Sequence, residues 1–226
     1  MKITFLGHSC FQIESDKGTI VFDPFIRPNP KAAHIDFDQL KADYILLSHG
    51  HMDHVADAKD LAANNDAMIV SNYEIVTWYE NQGIAKIHPL NHGGQVKLPF
   101  GSAKYVNAVH SSVLPDGTYG GNPGGFVVSL EGKKFYYSGD TALHMDMELI
   151  GRLDRPDFAF LCIGDNFTMG IEDALEAAKM TKVKKVIGMH FNTFPYIEID
   201  TDAAKEMFAK EGIDLVIMNI GESIEV

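Results

Sequence analysis

Short apolar segments, rich in β-branched and aromatic residues, recur along the chain, and helical stretches separate many of them. This alternation constrains the fold more than any other feature of the sequence. Three such segments open the chain, with "DKG" as a turn, and predict a meander or hairpin: "KITFLGH", "CFQIES" and "GTIVFDP". Later runs are typical of buried strands: "ADYILLSH", "AMIVSN", "PDFAFLCIG", "KKVIGMH" and "DLVIMN".

Helical composition and end signals predict five helices between these strands. They are "DHVADAKDLAANN", "YEIVTWYENQG" closed by Gly83, a stretch near 144–152, "IEDALEAAKM" and "TDAAKEMFAKEG". Two sheets packed face to face, with helices outside, is the layer arrangement that accommodates this order. No linker, low-complexity run or repeat interrupts the sequence, so we expect one domain over residues 1–226.

The composition narrows the class of protein. The net charge of −12 argues against a nucleic-acid or anionic-membrane surface, and no run approaches the ~20 apolar residues of a membrane span. The N-terminus lacks the apolar stretch of a secretory signal. Two cysteines are too few for a disulfide framework. We therefore expect a cytoplasmic protein that acts on a small molecule, with homo-oligomerisation left open.

A dense group of metal-ligand side chains lies in "LLSHGHMDHVADA". His49 and His51 are two residues apart, so in extended chain they point the same way and can reach one metal ion. Asp53 and His54 follow where a helix begins, and they are displaced toward a second ion. Other candidate ligands follow apolar strands far along the chain: His110, Asp140 and His190.

The motif "HGHMDH" resembles the H-x-H-x-D-H signature of the metallo-β-lactamase superfamily, and the distant ligands follow in that family's order. The resemblance covers essentially the whole chain. It implies an αββα four-layer sandwich with a binuclear metal centre at one edge between the sheets. It assigns one metal ion to His49, His51 and His110. It assigns the other to Asp53, His54 and His190, with Asp140 bridging.

Further segments are similar to small metal-dependent hydrolases related to the ascorbate-6-phosphate lactonase branch: "MKITFLGHSCFQI", "FDPFI", "GDNFTMG" and "HFNTFP". In that branch the His of "GHS" lies near the metals, so we expect His8 in the pocket. A His with a near-neutral pKa can donate a proton, which makes His8 the candidate leaving-group acid. Asp23 is either a turn-forming residue or an acceptor that orients a ligand imidazole.

Four polar residues follow strands on the same predicted face and are candidate substrate contacts, although loop capping explains them equally well: Asp165, Asn166, Thr168 and Asn192. Cys10 and Cys162 lie in strand patterns and are expected to be buried. Arg27 is the nearest basic residue, and no arginine cluster accompanies the motif loops to grip a phosphate.

The expected reaction is hydrolysis. Two dications lower the pKa of a shared water to supply hydroxide, with Asp53 and Asp140 orienting it, and they polarise the substrate oxygen. The substrate is a small-molecule ester, lactone or phosphodiester. Zinc is the first expectation, with manganese, nickel and iron left open. His51 stands where di-iron relatives that reduce oxygen carry Glu, which disfavours that chemistry.

Two alternatives remain. A phosphodiesterase or nuclease is disfavoured by the acidic charge and by the absence of room for the large inserted domain of nuclease relatives. A non-catalytic metal-binding protein that retains the fold is disfavoured by the complete ligand set.

Overall fold

The computed structural model describes residues 1–226 and contains fourteen β-strands in two seven-stranded sheets. The strands of the first sheet are β1 (Lys2–Gly7), β2 (Cys10–Ser15), β3 (Gly18–Phe22), β4 (Tyr44–Leu46), β5 (Met68–Asn72), β6 (Ile87–Leu90) and β14 (Ser223–Glu225). The strands of the second sheet are β7 (Gln95–Leu98), β8 (Gly101–Asn107), β9 (Gly124–Leu130), β10 (Lys133–Tyr137), β11 (Phe158–Cys162), β12 (Lys185–Met189) and β13 (Asp214–Val216).

Each sheet joins a meander to a parallel segment. In the first sheet, the order is β14-β1-β2-β3-β4-β5-β6, antiparallel as far as β3 and parallel from β3 to β6. In the second sheet, β7 to β10 are antiparallel neighbours and β10 to β13 are parallel. The parallel strands of each sheet all end at one edge, and the residues that follow them can meet there.

Six helices lie between the strands: α1 (Met52–Val55), α2 (Ala58–Asn65), α3 (Tyr73–Glu80), α4 (Asp146–Leu149), α5 (Ile171–Thr181) and α6 (Thr201–Lys210). No helix is long and apolar enough to cross a membrane. Helices α2 and α3 pack on the first sheet, and α5 and α6 pack on the second. The predicted four-layer αββα arrangement is therefore confirmed.

Aromatic side chains fill the space between the sheets. Phe22 from the first sheet stacks on Tyr137 from the second at a ring-centroid distance of 4.5 Å, and Phe11 meets Phe160 at 4.7 Å. All four are fully buried. Because Tyr137 lies at the end of β10, this packing fixes the edge at which the polar loops of the two sheets converge.

Three local predictions were wrong. The predicted helix over 53–65 is two helices, because Asp57 interrupts it and its buried carboxylate accepts the backbone N–H groups of Ile26 and Arg27. Strand β6 was not predicted, since "IHPL" is short and contains Pro89; it forms a sheet edge, where proline is tolerated. The helix near 144–152 is a single turn, α4, followed by a π-helical turn at Ile150–Asp154.

Candidate metal centre

The loops at one edge of the two sheets are joined by direct backbone hydrogen bonds. The His190 N–H, just after β12, donates to the carbonyl of His8 in the β1–β2 turn at 2.9 Å. The Gly124 N–H of β9 donates to the Ser48 carbonyl after β4 at 3.0 Å. Residues from both sheets therefore share one cleft, and their relative position depends on how the sheets pack.

Three imidazoles form a first group of candidate ligands: His49, His51 and His110. Their ligand atoms lie within 4.8 Å of one another. His49 Nε2 lies 3.0 Å from His51 Nδ1, and the His110 ring centroid is 5.1 Å from that of His49. His49 is fully buried, whereas His51 and His110 are half-buried. This group is open to solvent on one side.

Four side chains form a second group: His8, Asp53, His54 and His190. Their ligand atoms also lie within 4.8 Å of one another. The three imidazoles are buried, and Asp53 is half-buried. His8 thus lies in the pocket, as the resemblance led us to expect, and it stands among the candidate ligands themselves.

Asp140 lies between the two groups. Its Oδ2 atom is 3.0 Å from His190 Nε2 and 3.2 Å from His54 Nε2 in the second group. The same oxygen is 3.7 Å from His110 Nε2 and 3.9 Å from His49 Nε2 in the first. One carboxylate oxygen therefore faces four imidazole nitrogens drawn from both groups. All seven residues predicted as ligands meet in this cleft.

The donor atoms fit a cation. His54 Nε2, Asp140 Oδ1 and His190 Nδ1 are buried and have no hydrogen-bond partner, an arrangement that is costly unless something else satisfies them. Imidazole nitrogens and carboxylate oxygens together suit zinc and similar divalent ions. Cys10 and Cys162 are buried and free, and neither belongs to a group of candidate ligands, so the set contains no thiolate.

Asp23 is an acceptor that orients ligand imidazoles. Its buried carboxylate accepts His54 Nδ1–H at 2.9 Å, the Ser48 N–H at 2.8 Å and the Ser48 hydroxyl at 2.5 Å. The Ser48 oxygen lies 2.9 Å from His49 Nδ1 and accepts its proton. Since both rings are protonated at Nδ1, each keeps the Nε2 lone pair available for a cation.

Tyr137 also holds Asp23, and sequence reasoning missed it. Its hydroxyl donates to Asp23 Oδ2 at 2.8 Å and lies 2.8 Å from the Ser9 carbonyl. Tyr137 belongs to the second sheet, whereas Asp23 and Ser9 belong to the first. The hydroxyl therefore ties both sheets to the residue that orients His54. The only sequence signal was a tyrosine close before "SGD".

His8 is held between two polar side chains. Its Nε2 donates to Asp53 Oδ2 at 3.1 Å, and its Nδ1 accepts from the Thr193 hydroxyl at 2.9 Å. Burial, followed by the charge of His190, lowers the pKa of His8 to about 4, so the ring is neutral at pH 7. The expected near-neutral pKa is therefore wrong, and His8 is poorly suited to be a leaving-group acid.

The remaining charges divide between the groups. Burial and the charge of His54 hold the pKa of His49 well below its usual value. Burial acts against protonation of His54 as well, but Asp140 and Asp23 outweigh it and raise the His54 pKa well above its usual value. Burial acts to raise the pKa of Asp140, yet His190 and His54 hold it well below its usual range. Without a metal ion, a protonated His54 is thus the cation between two carboxylates.

Backbone strain concentrates at this edge. Of the ten non-glycine residues with positive φ, six lie in the loops around the cleft: His8, Asp23, Asp165, Asn166, His190 and Asn192. Such conformations are disfavoured for side chains other than Asn, Asp and Gly, and they cluster where function requires a particular side-chain direction. No sequence pattern announced them at His8 and His190.

The predicted substrate residues are placed in two loops. Asp165 and Asn166 are exposed and Thr168 is half-buried, in the loop after β11, which the Met169 N–H ties to the Thr141 carbonyl beside Asp140. Asn192 follows His190, and its side-chain oxygen accepts the Ile199 N–H at 2.8 Å. The Asn192 side chain therefore shapes its own loop, while the other three remain predictions.

Comparison with known proteins places the chain among metallo-hydrolases. The model of the β-lactamase superfamily domain matches residues 2–190. Two relatives named metal-dependent hydrolases, from Flavobacterium johnsoniae and Christiangramia forsetii, are 53% and 51% identical, and each match spans 100% of both chains. The structure of Igni18, a metallo hydrolase from Ignicoccus hospitalis, superposes with a TM-score of 0.89 at 33% identity, covering 100% of this chain and 98% of that one.

An isothiocyanate hydrolase from Delia radicum gut bacteria has the same fold. Its TM-score is 0.79 at 20% identity, over 100% of this chain and 99% of that one.

Proposed function

The chain belongs to the β-lactamase superfamily and is a metal-dependent hydrolase, and we propose that its single domain, residues 1–226, hydrolyses a small-molecule ester or lactone at a binuclear metal centre. The observation that carries the binuclear proposal is the position of Asp140 Oδ2, within 4 Å of imidazole nitrogens from both groups. A carboxylate in that position suits a bridge between two cations.

The first ion would be held by His49, His51 and His110, and the second by Asp53, His54 and His190, with Asp140 shared. When bound, divalent cations lower the pKa of water and polarise a substrate oxygen as Lewis acids. Zinc fits this donor set first, and manganese, nickel and iron fit it as well. No thiolate is present to select among them.

The chain's own residues prepare this chemistry by positioning. Asp23 and Ser48 fix the tautomers of His54 and His49, so their Nε2 atoms face the cleft. Neutral His8 holds Asp53 through one carboxylate oxygen and leaves the other oxygen without a protein donor. That oxygen is placed to orient the water that attacks the substrate. His8 therefore acts through Asp53, as a positioning residue.

An ester or lactone is favoured over a phosphodiester because Arg27 is already engaged. Its guanidinium donates to Asp57 Oδ1 and Asp60 Oδ2, each at 2.6 Å, and stacks 4.3 Å above the Phe37 ring. No arginine therefore offers the bidentate contact that phosphate recognition commonly uses. The proposed partner is a small molecule, without nucleic acid.

The test is one hydrolysis panel on metal-loaded protein that sets carboxylic esters and lactones against phosphodiesters, with Asp140→Ala as the blank. We expect turnover of an ester or lactone by the wild-type protein and none by Asp140→Ala. Turnover confined to phosphodiesters would contradict the acyl-transfer proposal. Equal rates for wild type and Asp140→Ala would contradict the assignment of the centre.

A further inference from the structure

The loops around the centre contain no cationic side chain. None of the 19 Lys and Arg residues lies within 47–57, 108–123, 138–145, 163–170 or 190–200. These five ranges carry all seven candidate ligands and the three remaining candidate substrate residues. Apart from bound metal ions, these loops therefore offer nothing to pair with a second negative charge on the substrate.

The one remaining loop at this edge, residues 23–32, has two cations, and both are engaged. Arg27 is bound by Asp57 and Asp60, as described above. Lys31 donates through Nζ to the backbone carbonyl of Asn192, close to His190. A phosphate or carboxylate on the distant part of a substrate would have to break one of these contacts before it could be held.

Aromatic side chains stand where a charged grip is missing. The Phe194 ring packs edge-on against His8 at 5.4 Å, so it borders the second group directly. Tyr196 is two residues further along the same loop, and its ring lies 6.2 Å from that of Phe167 in the loop after β11. Phe167 is 52% exposed and Tyr196 is 74% exposed. Large apolar groups left this open beside a site commonly bind a ligand.

We propose that Phe167, Phe194 and Tyr196, the aromatic rim, form a subsite for an uncharged apolar or aromatic substituent of the substrate. This inference rests on the proposed metal centre, because the centre would anchor the reacting group while the rim holds the substituent that projects from it. The substrate class is then a neutral ester or lactone with an aromatic or alkyl group. Phosphorylated compounds are poor substrates.

Hydroxamic acids test the rim without turnover, because the hydroxamate binds the metal ions and its substituent samples the surroundings. Three probes are compared by calorimetry on zinc-loaded protein: acetohydroxamic acid, phenylacetohydroxamic acid and succinic monohydroxamic acid. We expect the phenyl compound to bind about tenfold more tightly than the acetyl compound, since it buries more apolar surface. The succinic compound should bind no more tightly than the acetyl one.

Variants assign the preference to the rim. Phe167→Ala and Tyr196→Ala should each reduce the phenyl preference by at least about threefold while the affinity for acetohydroxamic acid stays the same. Leu153→Ala is the matched control, because Leu153 is 65% exposed and lies in the Ile150–Asp154 turn, which contributes no residue to the centre. It should retain the wild-type preference.

Each contrary outcome has a distinct meaning. Equal affinity of the wild type for the phenyl and acetyl probes, or a preference that survives both rim variants, would overturn the subsite and leave the metal centre standing. No binding of any hydroxamate would overturn the proposed centre and this inference with it. If Phe167→Ala instead changed the oligomeric state on gel filtration, the rim would be an interface between copies of the chain, and the subsite would be wrong.

Discussion

The two groups of candidate ligands share the same chemistry but differ in how they are supported. His49, His51 and His110 are partly open to solvent, and their main supports are the hydroxyls of Ser48 and Ser111. In the second group the imidazoles of His8, His54 and His190 are buried, and a set of buried hydrogen bonds holds the group: Asp23 to His54, Tyr137 to Asp23, His8 to Asp53 and Thr193 to His8.

This difference shows which part of the centre depends on the fold. The first group draws two of its three members from a single short loop, so its geometry is largely local. The second group needs His8 from the first sheet and His190 from the second, joined by the backbone hydrogen bond between them. Binding of the second ion should therefore respond to distant supporting residues, whereas binding of the first should depend mainly on its own ligands.

Asp140→Ala should have the largest effect because it removes the atom that faces both groups. We expect metal content to fall from two ions to one or fewer per chain, and hydrolysis to fall more than about 100-fold, since even supporting residues of metal sites cost 10–100-fold. Metal content is measured by plasma mass spectrometry after dialysis. Asp146→Ala, at an exposed carboxylate on α4, is the control and should retain both ions. Two ions retained by Asp140→Ala would break the account.

Asp23→Asn separates the two groups. Asp23 accepts directly from His54 but reaches His49 only through Ser48, so we expect the second ion to bind about 10–100-fold more weakly and the first to change less. Calorimetric titration of metal-free protein measures both affinities. Asp57→Asn is the matched control: Asp57 is equally buried but belongs to neither group, so it should lower stability without changing metal affinity. Equal weakening of both sites by Asp23→Asn would show that the groups are not supported differently.

The pH dependence of metal binding should also differ between the groups. His54 has a pKa raised by Asp140 and Asp23, so it is protonated at pH 7 in the metal-free protein, and the second ion must displace that proton. The affinity for the second ion should therefore rise with pH, by up to about tenfold per unit until the pH passes the His54 pKa. Burial lowers the pKa values of His49, His51 and His110, so the first ion should release no proton from its imidazoles at pH 7.

Calorimetry in buffers of different ionisation enthalpy measures this proton release. We expect about one proton for the second ion and close to none for the first. Release of a proton with the first ion only would reverse the assignment of His54.

Tyr137→Phe should give the smallest effect. It removes one of several hydrogen bonds to Asp23 at constant side-chain shape, so we expect unfolding free energy to fall by about 1 kcal/mol and the second ion to bind about fivefold more weakly. Tyr136→Phe is a close control, because the Tyr136 hydroxyl is buried without a partner and its removal should not destabilise the protein. Denaturant unfolding and metal titration give both quantities. Identical behaviour of the two variants would remove Tyr137 from the support of the centre.

The layer arrangement and the ligand cluster could be predicted because each leaves a local pattern. Apolar runs predicted twelve of the strands or more, and "HGHMDH" places four candidate ligands within six residues. Strand β6 escaped because four residues with a proline carry too little signal. The break between α1 and α2 escaped because it depends on hydrogen bonds from Asp57 to a loop 30 residues earlier in the chain.

The support of the centre could not be predicted, because tertiary packing alone distinguishes its members. Tyr136 and Tyr137 are adjacent and both fully buried, yet only Tyr137 faces Asp23, while the Tyr136 hydroxyl has no partner. Similarly, the proton-donor role expected of His8 assumed an ordinary pKa. Its burial against His190 and the hydrogen bond to Asp53 became apparent only in the folded chain.

The most direct test of the central claim is anomalous X-ray diffraction from crystals of zinc-loaded wild-type protein, collected at the zinc absorption edge. The account predicts two anomalous peaks per chain, one among His49, His51 and His110 and one among Asp53, His54 and His190, with Asp140 between them. A single peak, or peaks away from Asp140, would contradict a binuclear centre shared by the two groups.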